Sequence, residues 1–225
     1  MFLSRALEEL AVANGLEHID YCSYFVKVHP DQGSQLFDKA TLARAFHPNG
    51  CHYGTLRRAY PIPSHELYRS VLLLRDPRDC LVSHYYSVRD SHTLNNRGNL
   101  EARKEALRTD IDQWVLSKAA QYAQDFEQFH SRLVGKPGVL FLRYEEMVTA
   151  FPDFLRKVVA HTGLDQDQEA VARILEEADF EVSGENLLSH KRSVKPGNHL
   201  KKLKPETIDR LNGALAEVLE LFDYR

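Results

Sequence analysis

The chain is short of the features that assign a protein most quickly. It has three cysteines, Cys22, Cys51 and Cys80, in 225 residues. They are widely spaced and follow no metal-ligand pattern, which argues against a disulfide framework and fits reduced thiols in a cytosol-like compartment. No apolar run approaches the roughly 20 residues that span a bilayer, and no signal-peptide pattern opens the chain. Internal repeats and low-complexity tracts are missing. So is a GxxxxGK[ST] loop, which a P-loop kinase would need together with a Mg²⁺-binding acid after a strand. The one tryptophan, Trp114, falls in a helical apolar stripe and reads as packing before it reads as a platform for a ligand. A net charge of −3 argues against broad nucleic-acid binding, while leaving room for a local basic pocket.

What is present is an ordinary globular composition, 43% hydrophobic and 27% charged, sufficient for one domain over residues 1–225 with a substantial core. The most informative stretch is Val71 to Val88, VLLLRDPRDCLVSHYYSV. Val71 to Leu74 is a continuous apolar run, the pattern of a strand buried on both faces in a parallel sheet. The period then changes. Asp76 suits an N-cap, Pro77 the first helical position and Asp79 the first turn, where negative charge meets the positive helix end. Leu81, Val82, Tyr85 and Val88 recur at helical spacing. Arg75 therefore stands at the carboxyl end of a strand, where open α/β sheets bind ligands. With helix amides beside it and Ser83 two turns along, it suits a phosphate. A purely structural account is equally open: Arg75 pairs with Asp76 or Asp79, and Ser83 faces a neighbouring element.

These residues resemble the Arg-(Asn/Asp)-Pro-(Lys/Arg)-Asp-x-x-x-Ser signature of sulfotransferases that use 3′-phosphoadenosine 5′-phosphosulfate (PAPS). The resemblance implies that Arg75 and Ser83 hold the donor's 3′-phosphate. It extends along the chain in one order. Cys51-His52-Tyr53-Gly54 reads as a short strand ahead of the loop leading to Val71. The family has a histidine there that takes the acceptor's proton, which implies His52 as base and His47 as the runner-up. Gly50-Cys51 departs from the Lys-Thr common before that histidine. Most of the eleven histidines are surface or packing residues, and His29, His47, His65, His130 and His161 have no notable surroundings in the sequence.

A second apolar run, Val139 to Leu142, is followed by Arg143-Tyr144-Glu145-Glu146-Met147. This resembles the family's Tyr-Glu-Asp/Glu-x-Met stretch, whose Tyr contacts the adenosine side of the donor. Tyr144 packing at a strand end is the alternative. His190 to Leu203, HKRSVKPGNHLKKL, is a basic loop with a Pro-Gly turn. It resembles the family's Arg-x-Gly-x-x-Gly-x-Trp-Lys segment, which implies that Arg192 and the amides around Gly197 grip the 3′-phosphate. Val194, His199 and Leu200 depart from that pattern.

The remaining periodicities predict a helix from Phe2 to Gly15, a strand over His18 to Phe25 and a weak helix over Leu36 to Phe46. They also predict a long helical stretch, broken once, from Leu100 to Val134, helices after Phe151 and Glu169, and a terminal helix from Pro205. The fold implied is α/β, a P-loop NTPase-like three-layer domain with a mostly parallel central sheet. The family carries a strand and a phosphate loop before its first helix, and Met1-Phe2-Leu3-Ser4 resembles the end of that loop. The first strand and 5′-phosphosulfate loop are therefore expected to be missing, either because the recorded chain starts at an internal methionine or because it is a natural short form.

The activity implied is in-line transfer of the sulfuryl group from PAPS to the hydroxyl of a small molecule or glycan. It needs no metal, nucleic acid or membrane, and the location implied is cytoplasmic. Segments 29–50 and 89–99 are the expected acceptor pocket. The alternatives are a non-catalytic nucleotide-binding relative and a P-loop kinase-type phosphotransferase.

Overall fold

A computed structural model describes residues 2–20, 39–91, 97–165, 167–178 and 195–224. Arg192 and the first part of the basic loop, residues 190–194, lie outside the described residues, as does the expected strand beyond Asp20. The chain divides into two compact units, residues 1–73, 131–142 and 150–179 in one and residues 74–130, 143–149 and 180–225 in the other.

In the first unit, α1 (Phe2–Ala13) buries Leu3, Ala6, Leu10 and Ala11 along one stripe, the i, i+3, i+7, i+8 spacing of an amphipathic helix. It packs against α8 (Gln168–Glu177), and Phe2 meets Phe151 of α7 (Phe151–Thr162) edge to face at 5.3 Å. β1 (Glu17–Ile19) and β2 (Cys51–Tyr53) pair in parallel, with His18 opposite His52. The weak helical pattern before Phe46 becomes α2 (Lys39–Ala45). Its end, Leu42 and Phe46, forms a small apolar cluster with Tyr53, Leu56, Tyr60, Ile62 and Tyr68.

β3 (Ser70–Leu74) and β4 (Val139–Arg143) form a second two-stranded sheet. Their amino ends lie together, Ser70 N–H donating to Gly138 O at 2.7 Å, so these strands also run in parallel. The apolar runs predict burial on both faces. In the structure Leu72 and Leu74 are buried while Val71 and Leu73 are half-buried. The physical reason is that β3 has one hydrogen-bonded neighbour, β4, among the described residues. His161 of α7, unremarkable in the sequence, clips the sheet: its Nε2 is 3.1 Å from both Ser70 O and Gly138 O. Two carbonyls can only accept, so Nε2 carries a proton shared between them. Gly138 has a φ of +75°, and a Cβ there would run into Tyr68 O, so glycine is needed at this junction.

In the second unit, α3 (Pro77–Tyr86) follows β3 at once and continues into a π-turn, Ser87–Ser91. The long helical stretch is broken as its periodicity suggests, into α4 (Arg97–Arg108) and α5 (Ile111–Leu133). Leu107 is the exception to the apolar stripe. It is exposed, while Ala106 beside it is buried. β4 runs into α6 (Tyr144–Thr149), and after Gly197 come α9 (Asn198–Lys202), α10 (Pro205–Ala214) and α11 (Ala216–Leu221). Trp114, Val115, Leu81, Val82, Leu211, Leu215 and Phe222 are buried, which fits the packing role read for Trp114. No helix among the described residues is long and apolar enough to cross a membrane.

Candidate functional site

The turn between β3 and α3 is where local sequence rules concentrate. Asp76 caps the helix, its Oδ1 accepting from Arg78 N at 2.8 Å, with Pro77 in the first turn. Arg78 then folds back on Asp76. Its Nε lies 3.0 Å from Oδ1, its Nη2 2.7 Å from Oδ2, and its Nη1 donates to Asn212 Oδ1 at 2.7 Å. Asp76 N–H donates in turn to Glu145 Oε1 of α6 at 3.1 Å. The strand-to-helix turn is thus held from both sides by buried, charge-assisted bonds.

Asp79 is the centre of the cluster. It is 0% exposed and accepts four hydrogen bonds. They come from Arg75 Nη2 at 3.1 Å, Gly197 N at 2.9 Å, His199 N at 2.8 Å and His199 Nδ1 at 2.7 Å. Burial alone would raise its pKa, but the His199 donors and the Arg75 charge outweigh that and hold it at about 2. Arg75 lies over the Tyr144 ring, 4.8 Å from its centroid, and reaches Lys195 O at 3.4 Å. Its Nε is buried and has no hydrogen-bond partner among the described residues. Burial also raises the Tyr144 hydroxyl and pushes the Cys80 thiol up to about 12. Cys80 is therefore an inert thiol, its Sγ lying 3.6 Å from Arg75 O.

Of the residues singled out in the sequence, Arg75, Tyr144 and Gly197 come together around Asp79. Ser83 lies two turns along α3 and is exposed. Gly197, at a φ of 77°, caps α9 and its amide is spent on Asp79. The helix amide of Arg78 is spent on Asp76. The amides of Arg78 and Gly197 are thus engaged by carboxylates of the protein itself, and the pairing of Arg75 with Asp79 left open by the sequence is the one found. His52, in the first unit, is half-buried, with its Nδ1 3.0 Å from His18 Nδ1. Burial first, and His18 second, lower its pKa to about 4, so the ring is neutral at pH 7. His47 is exposed, and its backbone N–H donates to Tyr53 Oη at 2.6 Å.

Sequence reasoning missed the partners. Asp79 was legible as a helix-end acid but not as an acceptor of four bonds, and only its i,i+4 spacing to Arg75 signals the pair. Nothing local marks Glu145 as the acceptor of Asp76 N–H or His199 as the Asp79 donor. His18 is the exception: its place in a short strand could have suggested a facing neighbour.

The arrangement of helices on parallel strands is shared with solved structures. A mouse sulfotransferase, SULT7A1, complexed with PAP, aligns with a TM-score of 0.50 at 18% identity, over 69% of this chain and 62% of its own. Retinol dehydratase, in complex with androsterone and the inactive cofactor PAP, aligns with a TM-score of 0.51 at 19% identity, over 83% of this chain and 58% of its own. The chain therefore has the P-loop NTPase-like α/β fold of these proteins and spans about three fifths of their length. The sulfotransferase domain profile matches residues 64–207, more than half of the sequence. The chain belongs to the sulfotransferase domain family. No curated protein matches it.

Proposed function

We propose that this chain transfers the sulfuryl group of PAPS to an acceptor hydroxyl. The observation that carries the reading is Arg75. Within the matched region it stands at a strand's carboxyl end, held by Asp79 and stacked on Tyr144, with one buried N–H unpartnered among the described residues. A buried N–H without an acceptor costs about 1–3 kcal/mol, and a phosphate oxygen would satisfy it. Arg75 and Ser83 would hold the donor's 3′-phosphate, with Arg192 contributing from the basic loop, Gly197 shaping the turn that ties the loop's end to Asp79 and Tyr144 lining the adenosine side. PAPS supplies the activated sulfuryl group, and fixing its remote phosphate positions the donor.

His52 is the base of this reading. Its lowered pKa keeps the imidazole unprotonated at neutral pH, so a lone pair is ready for the acceptor proton. Among the described residues no group of three or more His, Cys, Asp or Glu side chains is placed to hold a metal ion, and none enters the proposed steps. One domain over residues 1–225, a small-molecule or glycan acceptor and a cytoplasmic location belong to the same reading.

Calorimetry with adenosine 3′,5′-bisphosphate, beside adenosine 5′-monophosphate and ATP, tests the site. Sulfuryl transfer from PAPS to a panel of phenols, alcohols and sugars tests the activity. Binding that needs the 3′-phosphate, with turnover, is expected. Binding without turnover would leave a non-catalytic nucleotide-binding relative, and a preference for ATP would point to phosphoryl transfer instead.

A further inference from the structure

Two imidazoles meet where β1 and β2 pair. His18 stands opposite His52 in the parallel register, and because alternate strand residues leave opposite faces, Tyr53 turns away to pack on Phe46, 4.5 Å between ring centroids. The two Nδ1 atoms are 3.0 Å apart, a separation that accommodates one proton between them. On the other side of His18, Nε2 lies 3.7 Å from Glu8 Oε2 of α1. A Cβ at Gly54 would stand 3.0 Å from His18 Cε1, so the missing side chain there leaves the His18 ring its place.

We propose that His18, with Glu8 behind it, is a positioning residue that fixes the tautomer of His52. Glu8 favours a proton on His18 Nε2, so His18 Nδ1 presents a lone pair to its neighbour. The proton between the rings therefore sits on His52 Nδ1, and the lone pair of His52 is on Nε2. This inference rests on the reading of His52 as the base. In that reaction the acceptor O–H gives its proton to His52 Nε2 as its oxygen bonds to sulfur. The bond from sulfur to the 5′-phosphate oxygen breaks, and adenosine 3′,5′-bisphosphate leaves with that electron pair. The imidazolium formed on His52 keeps its Nδ1–H on the His18 lone pair, so no proton needs to be relocated during the step.

His18 must be neutral for this to work. Protonated, it would donate from both nitrogens, and His52 would turn its lone pair to Nδ1 and leave Nε2 protonated. Among the described residues, Glu8 of α1 faces His18 at 3.7 Å and the Asp20 backbone lies beside the His18 ring at Gly54; Cys51 and Tyr53, one residue away along β2, alternate to the other face. Glu8 is half-exposed, so its charge is screened and its contribution is the orientation of His18. The lowered pKa of His52 is consistent with the arrangement, since a neutral pair needs both rings uncharged.

The test reads the tautomers directly. Long-range ¹H–¹⁵N correlations of histidine-labelled full chain at pH 7 distinguish protonated Nδ1 from protonated Nε2. His52 protonated on Nδ1 and His18 on Nε2 are expected; His52 protonated on Nε2 overturns the proposal. Two variants add the kinetic arm. His18→Phe removes the acceptor and is expected to move His52 toward the Nε2–H form and lower kcat about tenfold or more at constant donor KM. His18→Asn leaves an amide oxygen near the Nδ1 position and is expected to keep the tautomer and recover most of kcat. A His52 tautomer unchanged in His18→Phe also overturns the proposal. The spectra need no turnover, so a chain that transfers no sulfuryl group would defeat the functional reading while the spectra still decide the tautomer.

Discussion

Around Asp79 the molecule gathers fixed charge: two arginines, two buried aspartates and a histidine donor, interlocked by bonds of 2.7–3.1 Å across α3, α9 and α10. At His18 and His52 it does the reverse, setting two tilted rings on three-residue strands with their Nδ1 atoms 3.0 Å apart and, among the described residues, only the half-exposed Glu8 carboxylate near them. Charges locked this way cannot shift without a large cost, which suits a group that only has to hold a phosphate. A His52 ring held neutral at pH 7 keeps a lone pair open, which suits a group that has to take a proton during the step. The contrast separates holding from proton transfer, and it can be broken by experiment.

The largest effect is a double dissociation. His52→Ala is expected to lower kcat by about 10²–10⁴-fold, the usual contribution of a positioned base, while the affinity for adenosine 3′,5′-bisphosphate stays within about threefold of wild type. Arg75→Ala is expected to do the opposite to binding, weakening it roughly 10- to 100-fold through loss of charged hydrogen bonds. Initial rates and calorimetry on both variants decide the matter. If the two variants lose binding and turnover in the same proportion, the two regions do not divide the work.

Next in size is stability. Asp79→Ala would leave Arg75, His199 and the Gly197 amide without their shared acceptor, and removal of one partner from a buried ionic network costs about 3 kcal/mol or more. Ser83→Ala, on the same helix but exposed, is expected to stay within about 0.5 kcal/mol. Urea denaturation of the two variants measures the difference. Equal midpoints would mean that Asp79 does not brace the turn.

These two regions also differ in how far their sequences disclose them. The Arg75 turn was legible because its signals are local. The apolar run of β3, the Asp76 cap and Pro77 act within a few residues, and the structure has all three. The break between α4 and α5 was legible for the same reason, since periodicity is a property of the segment itself. What joins Asp79 to His199 spans 120 positions, and what joins Asp76 to Glu145 spans 69. No propensity or cap registers such pairs. His161 shows the limit most clearly: its bonds to Ser70 O and Gly138 O depend on the ends of two strands meeting, which no neighbour in its own helix foretells.

The smallest effect is the response to acid, and it sharpens the contrast because the two regions fail in different windows. His52 has its pKa lowered from 6.5 to about 4. Between those values the unfolded chain takes up a proton that the folded chain refuses, so stability falls as pH drops from 6.5 toward 4. Asp79 is lowered from 3.8 to about 2, so the stability it contributes is present above 3.8 and is lost only as pH falls toward 2. Mild acid should therefore act on the histidine pair first and leave the Asp79 network intact. For a half-buried ring partly screened by solvent the loss between pH 8 and pH 6 is below about 1 kcal/mol. It is best read as a difference, the unfolding free energy of wild type less that of His52→Ala, followed from pH 8 to pH 5. That difference should shrink steadily toward the acid side. If it stays level, His52 takes up its proton as readily in the folded chain as in the unfolded one, and the neutral, proton-accepting half of the comparison fails while the charged half stands.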